Sequence, residues 1–419
     1  MLPGFAGTAH AAVPVTRRVA VVVIQNGDTT AEQTQLADTT YYRNIFFGTA
    51  DSLATWMPAV THGLLSYTAA GDGVFAVQPS DELRNADKSG CHTGPARTTA
   101  EDHLKSLGVT WDSLAVVFDI ASCGWGGLGQ VPGKVTWYPP RPSLSAIVHE
   151  FGHNQGYPHQ PKRDCAGGDV AACKENGYSG NTPMGSGGAG RGYSSVELIH
   201  SGWAEPSWRV TATAPGTFSL KPLHSPAGVT GARILEYKAS STLTYVVETR
   251  APGAGVDSGV SNPGVRVYAV TRGDYKGAYL INPGTAGTPY TPAGTVITDT
   301  ASKIAISVRS SSAASAQVAI EAIRARPATK SASPSASPSP SPSTVETPSS
   351  TPSADVVPDD DSDLLDAAAA PSKNGGLKTG TLLLITGALM ALILVSVTGY
   401  MLRPDRHRPR HRKPLFQRP

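Results

Sequence analysis

The chain is short of charge. Asp, Glu, Lys and Arg together make up 16% of its 419 residues, aromatic residues make up 7%, and there are only four cysteines and five methionines. Glycine (44) and proline (34) are abundant instead, a composition that suits β structure and loops better than long helical bundles. A basic surplus is also missing from most of the chain. The net charge is +3, but Arg403–Pro419 alone carries +6 and leaves the rest at −3, so nothing in the charge balance points to a nucleic-acid partner. No Ser/His/Asp nucleophile arrangement and no phosphate-cradling glycine loop ahead of a lysine is present, which removes two common routes to hydrolase and nucleotide-dependent chemistry. No CxxC pair occurs either. Cys91, Cys123, Cys165 and Cys173 are an even set that points to two disulfides in an oxidising compartment. Of the three possible pairings, Cys165–Cys173 closes a short loop around two glycines and leaves Cys91–Cys123; four buried free thiols are the alternative.

One long stretch lacks charge altogether: "LLLITGALMALILVSVTGYML", Leu382–Leu402. As a helix its 21 residues measure about 32 Å, one hydrocarbon thickness. Residues 378–402, with Lys378 and Arg403 at the boundaries, are therefore read as a single transmembrane span. The basic tail 403–419 belongs on the cytoplasmic side and the preceding residues outside, so the chain is expected at the cell membrane. Residues 1–16 lack the basic start and long apolar core of an export signal, although Ala9-His10-Ala11 resembles the end of one. The expectation is that the signal lies upstream. A tail anchor with its bulk in the cytosol is the competing topology, opposed by the cysteines and the basic tail. Residues 327–377 carry "SASPSASPSPSPS" and "DDDSDLLD", with too little apolar content to build a core. They read as a disordered stalk, extended at about 3.1 Å per residue and so reaching on the order of 100 Å.

Residues 17–207 alternate strand and helix patterns. "RRVAVVVIQ" and "SLAVVFDI" read as buried strands, "HGLLSYT" and "GVFAVQ" as two more, and Thr29–Phe46 and Thr98–Gly108 as helices, giving a mixed α/β sheet. "GWGGLGQVPGKVTWYP" reads as an edge strand because Pro132 cannot donate to a ladder. From 208 to 326 seven short β-rich runs recur between Gly, Pro and Asp turns: "GTFSLKPL", "ARILEYKA", "TYVVETR", "VRVYAVTR", "GTVITDT", "IAISVRS" and "AQVAIEAI". They predict an all-β sandwich whose role is packing or presentation, with substrate binding the alternative.

The chemistry is concentrated in "HEFGHNQGYPH", His149–His159. On a helix over Leu144–Asn154, at about 100° per residue, His153 falls about 40° from His149 and Glu150 about 100° from it. Leu144, Ile147, Val148 and Phe151 fall on the opposite face. Two imidazoles and a carboxylate thus share one side while the apolar side packs inward. Gly156 and Pro158 end the helix, and the chain can turn back to offer His159 as a third ligand. Three neutral imidazoles leave one Zn²⁺ an open fourth position for water, and Glu150 can take that water's proton. Ser194 and Glu197 have the spacing of a capping box before a short supporting helix. His62, His92, His103 and His200 have no ligand partner at readable spacing and read as surface or turn histidines.

With HExxHxxGxxH at His149–His159 and a later methionine in "NTPMGSG", the chain resembles the metzincin clan of zinc metallopeptidases. "GWGGLGQVPGKVTWY" ahead of the helix and the β-rich region after it make it most like the gametolysin (peptidase M11) family. The resemblance implies a zincin catalytic domain, a mixed sheet plus zinc helix, followed here by the sandwich. It implies that Met184 lies in a tight turn beneath the metal. It also implies that the edge strand before the zinc helix, with Gly127, Leu128 and Gly129, binds substrate as an added strand. Two positions depart from the clan's patterns. Ser186 stands where some members carry a tyrosine, with Tyr193 a possible substitute, and Gln160 follows the third histidine. The expected function is a cell-surface zinc endopeptidase, monomeric, acting on protein or peptide with Glu150 as general base. A non-enzymatic adhesin with a structural zinc and a cell-wall peptide hydrolase are the alternatives.

Overall fold

The computed structural model describes residues 13–25, 30–86, 90–119, 123–253, 256–261, 263–284 and 290–323, together with the backbone of a short strand at 365–367. The expected span at 378–402, the tail at 403–419, nearly all of the export-signal-like segment and the rest of the stalk lie outside the described residues. Among the described residues no helix is long and apolar enough to cross a membrane.

The first sheet is built on β1 (Val15–Ile24), whose residues Val19–Ile24 are all buried. Such an uninterrupted apolar run belongs to a strand covered on both faces. α1 (Ala31–Ala37) and α2 (Thr39–Phe47) occupy the stretch expected as one helix. Asp38 divides it, because its carboxylate accepts the backbone N–H of Tyr41 and so starts a new helix. α3 (Leu53–Val60) opens on a capping box formed by Ser52 and Thr55. β2 (Leu65–Val77) is continuous where the sequence suggests two strands. It accommodates extra residues in a register shift opposite Val19–Val21, with Gly71 and Gly73 at positive φ. α4 (Asp81–Arg84) and α5 (Thr93–Ser106) follow. α5 begins five residues before Thr98, with Pro95 in its first turn, where a missing N–H costs nothing.

β3 (Ser113–Val117) pairs parallel to β1. The stretch read as one edge strand is a hairpin of β4 (Leu128–Gln130) and β5 (Val135–Tyr138), with Pro132 in its turn. β4 runs antiparallel to β5, and β5 parallel to β3. α6 (Leu144–Asn154) has the expected bounds and an N-cap at Ser143. Ile147, Val148 and Phe151 are fully buried on its inward face. The sheet order is β17-β4-β5-β3-β1-β2, where β17 is the strand Leu365–Ala367.

Beyond α6 come β6 (Pro161–Cys165), β7 (Cys173–Tyr178) and α7 (Ser195–His200). The β-rich region supplies β8 (Arg209–Ala212), β9 (Gly216–Leu220), β10 (Ile234–Lys238), β11 (Leu243–Arg250), β12 (Gly264–Thr271) and β13 (Tyr279–Asn282). It ends with β14 (Val296–Asp299), β15 (Ile304–Ser311) and β16 (Ala316–Ala322). All seven expected runs are strands; β8 and β13 are additional. They form a seven-stranded sheet, β7-β6-β13-β12-β11-β10-β8, and a four-stranded antiparallel sheet, β14-β15-β16-β9. Tyr245, Val247, Val265 and Val267 of the larger sheet share one apolar cluster with Ile306, Val308, Val318 and Ile320 of the smaller. The larger sheet also takes in β6 and β7, from before residue 208, through the parallel pairing of β13 with β6. Its other face contributes Ile234, Val246, Tyr268 and Val270 to the cluster that holds Phe151, Met184 and Tyr193. The β-rich region is thus continuous with the packing beneath α6. Both expected disulfides are formed: Cys91–Cys123, and Cys165–Cys173 across the β6–β7 pair.

Candidate metal centre

α6 delivers His149 and His153 one turn apart, and Gly156, at φ 91°, turns the chain so that His159 comes back to face them. The three rings lie with centroids 4.7 to 5.1 Å apart, and their ligating nitrogens all fall within 4.8 Å of one another. Backbone carbonyls fix two of the tautomers. His149 Nδ1 lies 2.8 Å from the Pro183 carbonyl, and His153 Nδ1 2.7 Å from the Tyr157 carbonyl. A carbonyl only accepts, so each Nδ1 carries the proton and each Nε2 a lone pair. His149 Nε2 lies 3.1 Å from His159 Nε2. Nitrogens bound tetrahedrally to one cation at about 2.0–2.1 Å sit roughly 3.3 Å apart, so the spacing fits. His153 Nε2 is buried without a hydrogen-bond partner, a cost that a ligated cation removes. Burial, with His149 nearby, pushes the pKa of His153 down to about 3 and keeps the ring in the neutral form a cation needs. The trio is compatible with a metal site.

Glu150 is fully buried beside these rings, and β4 approaches it closely. A Cβ at Gly127 would stand 2.6 Å from Glu150 Oε1, and one at Gly129 2.6 Å from the Glu150 carbonyl oxygen and 3.2 Å from Oε2. Only glycine fits at both positions. Leu128, between them, is buried with Phe118 and Trp137 in the core, so β4 presents backbone to the site. Asn154 fastens the arrangement by donating to the carbonyls of Gln130 and Val135.

Met184 lies in a single helical turn, Pro183–Gly185, with no exposed surface. It is packed against α6 at Gly152, where a Cβ would stand 2.3 Å from its Sδ. Gly152 was not singled out from the sequence. A glycine inside a helix, costing about 1 kcal/mol against alanine, was the signal available. Gln160 ties the third-ligand loop down: its N–H donates to the Met184 carbonyl, its carbonyl accepts from Ser179, and its side chain donates to Ser194 Oγ. Tyr193 does not reach the site in place of Ser186. It is fully buried, and its hydroxyl donates to the Val148 carbonyl on the inner side of α6. Tyr178 on β7, overlooked in the sequence, packs its ring 4.9 Å from that of His159 and is half-exposed.

Ser194 and Glu197 form the expected capping box, but Glu197 does more. It is buried and accepts from Thr182 Oγ1 at 2.7 Å, beside the Met184 turn, and burial raises its pKa to about 7. Ser195 N–H donates to Glu248. Arg250 spans Glu248, Asp257 and the carbonyls of Gly192 and Tyr193, entirely out of solvent. Burial opposes ionisation of Asp257, but Arg250 outweighs it and holds that carboxyl at about 2. A buried polar network therefore locks the Met184 turn to β11. His62 occupies a turn as expected and is half-buried there. Its ring lies 4.4 Å from that of Trp208 and stacks parallel on His224 at 5.4 Å, because the β-rich region folds over the end of α3.

Residues 112–246 match the family model of gametolysin, peptidase M11, a metzincin-type zinc metallopeptidase family. The match begins just before β3, contains β4, α6, His159 and Met184, and ends within β11. Among curated proteins, none matches the chain.

Proposed function

From the match of residues 112–246 to the M11 peptidase family model, we propose that the chain is a zinc-dependent endopeptidase that cleaves protein or peptide substrates outside the cell. The observation that carries this reading is the convergence of the His149, His153 and His159 nitrogens within 4.8 Å, beside the buried Glu150 and beneath β4. His149, His153 and His159 would hold a zinc ion, which would supply Lewis acidity towards water and a scissile carbonyl. Glu150 takes the proton of the attacking water and returns it to the leaving amine. β4 aligns an extended peptide by backbone hydrogen bonds, with Gly127, Leu128 and Gly129 as the contact strand. The carbonyls of Pro183 and Tyr157 orient His149 and His153, and the Arg250 network holds the Met184 turn against α6.

In this reading residues 17–207 form the peptidase part, and residues 208–326 the β part that packs against it. Residues 327–377 are the stalk, 378–402 the single membrane span and 403–419 the cytoplasmic tail. The chain is read as a monomer. Glu150→Gln tests the mechanism: the variant retains stoichiometric zinc and loses peptide cleavage by at least about a hundredfold, the scale of a removed general base. Undiminished cleavage by that variant rejects it.

A further inference from the structure

We infer that residues 365–367 of the chain's own stalk occupy the substrate edge of β4 and compete there with other peptides; this rests on β4 being the strand that aligns substrate. β5 takes one edge of β4, and β17 takes the other. The pairing is antiparallel, with Leu365 opposite Gln130, Asp366 opposite Gly129 and Ala367 opposite Leu128. Gly129 is the residue whose absent Cβ makes room for Glu150 and for His153 Cβ, which would lie 2.9 Å from it. The stalk backbone therefore runs past the residues that would activate water, in the place an extended peptide substrate would take.

The sequence explains why this part of the stalk, and not another, takes that place. Prolines recur every few residues from Pro327 to Pro358 and cannot donate to a ladder. Residues 359–370 are the longest proline-free window between Pro327 and Pro371, and they hold Leu364 and Leu365 followed by Ala367–Ala370. Forty-one residues separate Ile323, where the last β-rich segment ends, from Leu365. That is enough chain to span a domain, at about 3.1 Å per residue for a Pro-rich segment. Because the segment belongs to the same chain, its pairing is intramolecular, and a free peptide must compete against an effective concentration. Three residues of pairing are easily displaced, so the effect is a raised KM rather than a sealed site.

The test uses the full chain, with Leu365→Pro, Asp366→Pro and Ala367→Pro introduced together. In a Glu150→Gln background, where no cleavage complicates the readout, amide hydrogen exchange of Leu128–Gln130 accelerates several-fold when the prolines are introduced. Equal exchange with and without them overturns the inference. With Glu150 intact, the prolines lower KM for an unstructured peptide several-fold and leave kcat unchanged; an unchanged KM likewise overturns it. Self-cleavage confined to residues 359–370 supports occupancy. If neither chain cleaves any peptide, the proposed activity fails, while the exchange measurement still decides whether the stalk segment sits on β4.

Discussion

Replacing Gly152 by alanine probes the packing that holds Met184 beneath α6. An added Cβ would stand 2.3 Å from Met184 Sδ and 3.2 Å from the Tyr193 hydroxyl, whereas unstrained contacts lie at about 3.5–4.0 Å. Met184 must therefore retreat by more than about 1 Å. Neither Met184 nor Tyr193 has exposed surface to retreat into. Overpacking of this kind costs about 1–3 kcal/mol, offset by roughly 1 kcal/mol from the better helix propensity of alanine. The net loss is about 0–2 kcal/mol, and the sharper signal lies in a double-mutant cycle. Met184→Ala alone leaves a cavity worth about 2–5 kcal/mol. In that background the methyl at position 152 enters the cavity, the clash disappears and the helical gain remains. The double variant is then more stable than Met184→Ala by about 1 kcal/mol, with a coupling of about 1–3 kcal/mol between the sites. Denaturant unfolding of the four proteins measures this. Additive changes, or a full helical gain from Gly152→Ala alone, refute the packing argument.

Gly127→Ala places a methyl 2.6 Å from Glu150 Oε1; peptide cleavage should fall at least tenfold while zinc binding persists, read by kinetics and metal analysis on one sample. Arg250→Ala leaves Glu248 and Asp257 buried without their cation and should cost about 3–5 kcal/mol in denaturant unfolding. Burial raises the pKa of Glu197 to about 7 in the folded state, against an ordinary value of 4.5. The folded state thus binds the extra proton between those values, and stability falls as pH rises through that window. Glu197→Gln removes the penalty, so its stability relative to the parent should improve from pH 4.5 to 7 by about 3 kcal/mol at most. A stability difference that does not change with pH contradicts the assignment.

α6 was legible because two signals coincide in it: a 3.6-residue apolar stripe through Ile147, Val148 and Phe151, and candidate ligand types on the opposite face. The seven runs of the β-rich region were legible from alternating apolar residues. β6 and β7, "PKRDC" and "CKENGY", were not, since almost nothing in them is apolar and they are held by ladder pairing and the Cys165–Cys173 bridge. Asp38 breaks a helix that propensity alone would continue, through a side-chain cap. Gly127 and Gly129 were named for substrate binding, but their steric need appears only when Glu150 is brought against them from more than twenty residues away. His62 and His224 meet across 162 positions, a distance no local pattern spans.

X-ray absorption at the zinc edge, on the purified full chain, reads the ligand set itself. The expected result is one zinc per chain with three imidazole nitrogens at about 2.0–2.1 Å and one further oxygen from water, and loss of the bound metal in His153→Ala. A chain that binds no stoichiometric metal, or a metal closed by four protein ligands, contradicts it.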